Sequence, residues 1–218
     1  FKNENLSATF GEMVFYRNPD AGHELYVGLK DGKLTEERLR ELAGKIYKKL
    51  KGERVTDVTL SLEAIPFRDK AKAVAALTEA FLMSTYSFDT FKKAPEKQTP
   101  TMTIDFTCKK ANASLKNAMS DAEIIGEGVN FTRWLGDCPG NFMNPTQLAE
   151  EAKSAAKGTK MKVTAWDKAK IAKEKMDSLI GVSNGSDQEP RFIIMEYKGA
   201  AASKKPVCFV GKGLTFDA

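Results

Sequence analysis

The sequence predicts an α/β fold in two units, and three observations lead to this prediction. Short runs of alternating apolar residues indicate strands, and stretches with apolar residues three and four positions apart indicate helices between them. A longer helical stretch then precedes a second set of the same pattern. Strands that alternate with helices are typical of α/β domains. We therefore expect an N-terminal α/β domain with a mixed sheet over residues 1–115, a connecting helix over 116–136, and the beginning of an α/β/α domain over 137–218.

Four strands and two helices are expected in the first unit. The strands cover residues 12–16, residues 25–29, the alternating Val58, Leu60 and Leu62, and the alternating Met102, Ile104 and Phe106. The first helix runs from Thr35, a favourable N-cap, to Leu50, because its apolar residues fall on one helical face. The second helix covers residues 69–83 and has a similar apolar side.

The second unit is expected to open with a helix. Asn144-Pro145-Thr146 starts a helix that reaches residue 157, since proline is favoured in the first turn. The elements that follow are a strand, a charged helix and two apolar runs typical of fully buried strands, over residues 161–165, 168–175, 192–195 and 207–210. Residues 181–190 are interpreted as a turn that leads into the third of these elements. Cys208, inside the last apolar run, is expected in the core.

The composition excludes several classes of protein. The 218 residues contain no apolar run of about 18 residues, the length needed to span a bilayer. The net charge of +5 comes from basic residues scattered along the chain, so we do not expect a nucleic acid as a partner. Three cysteines without a CxxC pair argue against a disulfide framework or a zinc ribbon. The chain starts at Phe1, and we expect that its true N-terminus, with any targeting peptide, was removed or was not seen.

Histidine chemistry is limited to one residue, because His23 is the only histidine of the sequence. A zinc site rich in histidine and an HExxH metalloprotease site are therefore excluded within this chain. His23 follows the turn-like Asn18-Pro19-Asp20, and we interpret it as a surface residue. A metal site in this chain would need mainly oxygen ligands, or unusual ones.

The final residues combine a strand-like run with a glycine turn. Residues 210–217 have neither the spacing of a Walker A phosphate loop nor the GxGxxG pattern. Lys212 and Asp217 follow the end of the apolar run, where two such side chains could face one cavity. Aspartate is a good ligand for divalent metals, whereas lysine must first lose its proton and is a rare ligand. From the residues alone, a solvated Lys212 is the favoured interpretation.

Three motifs follow one another in an order found in a known family. They are residues 127–135 with the turns Cys138-Pro139-Gly140-Asn141 and Asn144-Pro145, residues 180–199 with Gly185-Ser186 and Glu189-Pro190-Arg191-Phe192, and residues 210–217 with Ala218. Together they resemble the leucine aminopeptidase, or cytosol aminopeptidase, family. The last motif resembles the start of the signature of that family. The motifs lie within residues 120–218, and over residues 1–115 the resemblance rests on the α/β pattern.

The resemblance implies a metal-dependent aminopeptidase that releases N-terminal residues such as leucine from peptides. Family members hold two divalent ions, zinc or manganese, and the positions that match Lys212 and Asp217 are metal ligands. The two ions polarise the scissile carbonyl, bind the free amine and lower the pKa of a bridging water. The resemblance to the family also implies a homo-hexamer in the cytoplasm. The alternative of an organellar targeting peptide upstream of Phe1 is left open.

The resemblance also implies that the remaining ligands and the catalytic residues lie downstream of Ala218. The catalytic domain over residues 137–218 is then incomplete, and we expect the 218 residues alone to be inactive, because two ligands cannot hold two metal ions. The alternative is a truncated, non-catalytic relative that acts as an interaction or structural subunit. Nucleic-acid binding is a third hypothesis, which a steep loss of affinity with salt would support.

Overall fold

The computed structural model describes residues 9–18, 20, 22–30, 33–93 and 101–215. The chain divides into two compact units, Phe1–Thr132 and Arg133–Ala218, and both contain helices and small sheets. The predicted α/β fold class is confirmed. The finer division at residues 115 and 136 stays a prediction. None of the described helices is long and apolar enough to cross a membrane.

The first unit contains two pairs of strands. β1 (Met13–Tyr16) and β2 (Glu24–Val27) form an antiparallel hairpin. β3 (Asp57–Ser61) and β4 (Thr103–Thr107) pair in parallel. The antiparallel and parallel pairings expected for a mixed sheet both occur, although the described strands place them in two separate sheets.

Two helices, α1 (Glu36–Gly52) and α2 (Lys70–Thr85), form at the predicted positions. α1 begins after Thr35, whose hydroxyl accepts a hydrogen bond from the backbone N–H of Arg38 at 3.2 Å. Asp69 caps α2 in the same way, since its carboxylate accepts two backbone N–H groups of the first turn, each at 3.1 Å. Local side-chain capping therefore fixes where both helices start.

The core of the first unit lies where α1, α2 and the β3–β4 sheet pack together. Its buried members are Leu39, Ala43, Ala73, Ala76, Leu77, Ala80 and Phe81. Leu60, Ile104 and Phe106 of the two strands pack against this cluster. The alternate residues of both strands are exposed. One face of the sheet therefore packs on the helices, and the other faces solvent, as is common for half-buried strands.

A third helix, α3 (Ala113–Asp137), follows β4. Gly126 is buried at the point where α3 approaches α2. A Cβ atom at this position would lie 2.9 Å from the Cβ of Leu82, so a side chain larger than glycine does not fit without movement. One turn further along, the side-chain amide of Asn130 donates a hydrogen bond to the backbone carbonyl of Leu82 at 2.8 Å. These two contacts hold α3 against α2.

Glu63 links the carboxyl ends of β3 and β4. It lies in a short 3-10 turn, Leu62–Ala64, and its carboxylate accepts a hydrogen bond from the backbone N–H of Lys109 at 2.7 Å. This hydrogen bond is the largest cause that lowers the pKa of Glu63 below the ordinary value of a glutamate, and burial opposes it. The hydroxyl of Ser61 lowers the pKa further.

Replacing Glu63 by glutamine is expected to lower the stability of the first unit near neutral pH and to matter less in acid. A carboxylate with a lowered pKa contributes stability that is present above its unfolded pKa and is lost as the pH falls through its folded pKa. Urea unfolding over a pH series measures this difference. Lys109→Ala is the control, because it keeps the backbone N–H and should keep most of the pH dependence. An equal difference between Glu63→Gln and the parent at every pH would contradict the assignment.

The second unit contains three helices and one pair of strands among its described residues. In chain order they are α4 (Pro145–Ala155), β5 (Met161–Trp166), α5 (Lys168–Lys173), α6 (Asp177–Ser183) and β6 (Phe192–Tyr197). β5 and β6 pair in antiparallel fashion over their whole length. The side-chain oxygen of Asn144 accepts the backbone N–H of Gln147 at 3.0 Å, so α4 begins at the predicted Asn-Pro step.

Two predictions for this unit were wrong in detail. The stretch interpreted as a turn from residue 181 begins inside α6, because glycine is tolerated in a short helix whose end is closed by the backbone of Asn184. β6 is not fully buried, since Met195 and Tyr197 are 48% and 65% exposed. The exposure changes along the strand rather than alternating between faces, because the first three residues of β6 are partly buried and the last three are exposed.

The prediction of a buried strand over the apolar residues 207–210 was also wrong. Residues 205–215 form neither helix nor strand. Val207, Phe209 and Val210 are 80%, 91% and 93% exposed, and Cys208 is exposed rather than in the core. A strand requires a partner for its backbone groups, and none of the described strands pairs with this segment.

Candidate metal site

Lys212, the first predicted metal ligand, lies in the segment without regular structure that follows the apolar residues 207–210. Its side chain is exposed. The neighbouring Gly213 approaches α4, since a Cβ atom at Gly213 would lie 3.6 Å from the Cδ2 of Leu148. Leu214, one residue later, is 57% exposed. The segment therefore passes close to α4 at Gly213, while Lys212 points into solvent-accessible space.

Asp217, the second predicted ligand, lies outside the described residues. The structure therefore gives no position for its carboxylate and no distance between it and the amine of Lys212. The pairing of these two side chains at one site stays a prediction.

The described residues do not fit a metal ion by themselves. Within them, no group of three or more histidine, cysteine, aspartate or glutamate side chains is placed to hold a metal. Zinc takes four ligands in most protein sites, and magnesium or manganese prefers several oxygen atoms. Lys212 offers one nitrogen, which binds a metal only after losing its proton, and it lies exposed to water. No catalytic step through a metal can be derived from this part of the chain.

The motif at the end of α3 has a structural role in the second unit. The backbone carbonyl of Pro139 accepts hydrogen bonds from the N–H groups of Phe142 and Met143, both at 2.9 Å. Cys138 and Met143 are 8% and 4% exposed. The turn between α3 and α4 is therefore built from backbone hydrogen bonds around two buried side chains.

Cys138 is the buried thiol of this turn, and sequence reasoning gave it no separate role. Burial raises the pKa of Cys138, and the nearby carboxylates of Glu151 and Asp137 raise it further. Because the thiolate is the reactive form of cysteine, this thiol is protonated and unreactive near neutral pH. Its contribution is to packing.

His23 occupies the position expected for a surface residue. It is exposed, next to β2, and its ring meets the ring of Phe15 edge-on, with 5.6 Å between the ring centroids. The interpretation of His23 as a surface residue is confirmed.

One cavity lies within the described residues of the first unit, whereas Lys212 belongs to the second unit. It has a volume of about 780 Å³ and lies between the β1–β2 hairpin and α1. Phe15 and Leu25 line it on the hairpin side, and Leu42 and Ile46 line it on the α1 side. The walls are mainly apolar, and the polar lining residues include His23, Glu24 and Asp57.

Comparison with known proteins identifies both units. Residues 1–95 match the sequence model of the N-terminal domain of the cytosol aminopeptidase family, and residues 130–218 match the model of its catalytic domain. The chain is 48% identical over 224 residues to a probable cytosol aminopeptidase of Bdellovibrio bacteriovorus and 37% identical over 225 residues to one of Pseudomonas fluorescens. Both alignments cover 99% of this chain but 45% of the relative. The chain therefore spans less than half the length of these relatives.

Solved structures show the same fold at lower sequence identity. A mutant of tomato leucine aminopeptidase matches with a TM-score of 0.80 and 21% identity, over 91% of this chain and 40% of the tomato chain. The bottromycin maturation enzyme BotP in complex with Mn matches with a TM-score of 0.76 and 19% identity, over 89% of this chain and 41% of the BotP chain. These structures support the fold. The two sequence models of one family, which together match most of the chain, show that this chain belongs to the cytosol aminopeptidase family.

Proposed function

We propose that this chain is part of a metal-dependent aminopeptidase that releases N-terminal residues, such as leucine, from peptides. The observation that carries the proposal is the match of residues 130–218 to the catalytic domain of the cytosol aminopeptidase family. The relatives in Bdellovibrio and Pseudomonas, which are probable cytosol aminopeptidases, support the same activity. Peptides are the proposed substrates, and the cytoplasm is the proposed location.

Two divalent ions, zinc or manganese, are the proposed cofactors. The complex of BotP with Mn, which shares the fold, supports the use of a divalent metal. Lys212 and Asp217 are the proposed ligands within this chain, and the described residues supply no further cluster of ligands. We therefore propose that the other ligands and the catalytic residues come from the part of the relatives that this chain does not span.

Lys212→Ala in the proposed longer enzyme is expected to lower the rate of leucyl-peptide hydrolysis by more than about 100-fold and to reduce the bound metal. Loss of a residue that only orients a ligand typically costs about 10–100-fold, so loss of a ligand costs more. Hydrolysis rates and metal content by elemental analysis measure the two effects. Lys205→Ala is the matched control, since Lys205 is exposed in the same segment. Full metal content and full activity in Lys212→Ala would remove Lys212 from the site.

The 218 residues, prepared as a separate polypeptide, are proposed to lack aminopeptidase activity. The described residues contain no group of three or more carboxylate, thiol or imidazole side chains that could hold a metal, and two proposed ligands are too few for two ions. In that form the polypeptide would act only through contacts with other chains, which is the alternative proposal of an interaction or structural subunit. The test is an assay of this polypeptide after its mass has been verified. Turnover of a leucyl substrate would contradict both the proposed lack of activity and the proposed role as an interaction or structural subunit.

A homo-hexamer is the proposed assembly of the longer enzyme, and no nucleic-acid or membrane partner is proposed. The family resemblance supports the hexamer, and the scattered basic residues weigh against a nucleic acid. Analytical ultracentrifugation of the longer enzyme tests the assembly, and a monomer at micromolar concentration would contradict it.

A further inference from the structure

Asn184 and Gly185 lie in the exposed connection between α6 and β6. The sequence Asn-Gly occurs only here in the chain. Asn184 is the C-cap of α6, and both residues are exposed. Gly185 has no other atom within 4 Å of the position that a Cβ would occupy, so the space around it is open. An amide side chain followed by a glycine is thus presented to solvent at the end of a short helix.

The reactive groups at this step have no partners in the part of the chain that the structure describes. The backbone N–H of Asn184 donates to the carbonyl of Ile180 at 3.0 Å, and that of Ser186 donates to the carbonyl of Ser183 at 3.1 Å. Between them, the backbone N–H of Gly185 makes no hydrogen bond within the described residues, and neither does the side-chain amide of Asn184. No hydrogen bond of their own therefore holds the nitrogen of Gly185 or the side-chain amide of Asn184 among the described residues.

We propose that Asn184 is a site of spontaneous deamidation, which turns it into aspartate and isoaspartate. The backbone nitrogen of Gly185 loses its proton to base and attacks the side-chain amide carbon of Asn184. A new bond between this nitrogen and carbon closes a five-membered imide, and the bond to the side-chain nitrogen breaks to release ammonia, which takes up a proton. Water then opens the imide at either carbonyl, giving a normal aspartyl or an isoaspartyl linkage. No oxidant, reductant or enzyme is required.

The helix end slows this reaction without preventing it. With ψ at −13° for Asn184, the nitrogen of Gly185 is turned away from the side chain, and attack requires rotation about the Cα–C bond. This rotation moves Gly185 and Ser186 relative to α6, so it has to break the hydrogen bond from the backbone N–H of Ser186 to the carbonyl of Ser183, whereas the cap hydrogen bond from Asn184 to Ile180 lies on the other side of the rotating bond and stays intact. The ends of helices fray readily, and a helix of seven residues has few bonds to resist it.

None of the other asparagines among the described residues precedes a glycine. Asn112 and Asn141 precede an alanine and a phenylalanine, and the side-chain oxygen of Asn112 accepts a hydrogen bond from the backbone N–H of Leu115 at 2.9 Å. Asn18 and Asn144 precede prolines, which have no N–H to react. Asn130 is partly buried and donates to a backbone carbonyl. Asn117 is exposed like Asn184, but it lies in the second turn of α3 and precedes an alanine. Asn117 is therefore the natural internal control.

Deamidation would change the connection between α6 and β6 in two ways. The product places a carboxylate at the C-terminal end of α6, where the partial negative charge of the helix disfavours an anion. The isoaspartyl product also adds one carbon to the backbone between Ser183 and Gly185. Both changes weaken the last turn of α6, so modified and unmodified molecules would differ in the protection of this turn against hydrogen exchange.

Incubation of the purified protein at neutral and at mildly alkaline pH tests the proposal. Peptide mapping by mass spectrometry, with fragmentation that distinguishes aspartate from isoaspartate, follows residues 184 and 117 in the same sample. We expect acid to accumulate at residue 184 as both isomers, faster at the higher pH, with no comparable change at Asn117. In isotopically labelled water, one labelled oxygen enters each product molecule at residue 184.

Gly185→Ala is the matched variant, because the space around Gly185 accepts a methyl group and its backbone does not require glycine. The methyl group hinders closure of the imide, and we expect a rate at least several-fold lower with an unchanged circular dichroism spectrum. The proposal is overturned if Asn184 stays intact while a peptide of residues 180–190 converts under the same conditions. It is also overturned if Gly185→Ala reacts as fast as the parent, or if aspartate forms without isoaspartate.

Discussion

Replacing Leu39 by alanine is expected to lower the free energy of unfolding of the first unit by about 2–5 kcal/mol. Leu39 is 2% exposed and belongs to the cluster in which α1 meets α2. The substitution removes buried apolar area and leaves a cavity that small neighbours such as Ala43 and Ala73 cannot fill. Urea denaturation followed by circular dichroism measures the loss.

Ile124→Ala is the control for Leu39→Ala, since it also shortens a branched aliphatic side chain on a helix of the first unit. Ile124 is 66% exposed on α3. A substitution at such a position typically changes stability by no more than about 0.5 kcal/mol. Equal losses for the two variants would show that the cluster around Leu39 is not the core of the unit.

Gly126→Ala is expected to lower the free energy of unfolding by about 1–3 kcal/mol, the usual cost of overpacking. The new Cβ would lie 2.9 Å from the Cβ and 3.0 Å from the Cδ1 of Leu82. A Cβ atom cannot swing aside as the end of a long side chain can, so α3 has to move away from α2. That movement also strains the hydrogen bond between Asn130 and the carbonyl of Leu82.

Gly128→Ala, two positions along the same helix, is expected to act in the opposite direction. No atom lies within 4 Å of a Cβ at Gly128, and alanine is favoured over glycine in a helix by about 1 kcal/mol. Thermal and urea unfolding of both variants give the comparison. If both alanine variants stabilised the protein, α3 would not pack on α2 through Gly126.

Local patterns in the sequence predicted the helices best. The apolar spacing from Leu39 to Leu50 and the cap at Thr35 lie within one segment, and α1 forms within two residues of the predicted bounds. α6 escaped prediction because Gly181, Asn184 and Gly185 each favour turns. Its seven residues offer too little periodicity to outweigh them.

Strand pairing and the metal site depend on residues far apart in sequence. Local patterns in the sequence therefore predict them less well than they predict helices. The apolar run 207–210 has the composition of a strand, but a strand forms only when another strand supplies its hydrogen bonds. The role of Lys212 came from the resemblance to a family, since spacing alone favoured a solvated lysine. The side chain of Lys212 is exposed in the structure, as the interpretation from spacing alone expected. The groups that would surround a metal-binding lysine are not among the described residues.

Repulsion between flanking lysines is expected to oppose self-association through the exposed apolar segment over residues 207–210. Such a segment in extended form can pair with the same segment of a second molecule, which is the first step of aggregation. Lys204 and Lys205 precede it and Lys212 follows it, so two copies that approach each other bring like charges together. Salt near 0.1 M screens charges beyond about 10 Å. Concentrated solutions of the chain are therefore best kept at low ionic strength, where this repulsion protects the segment.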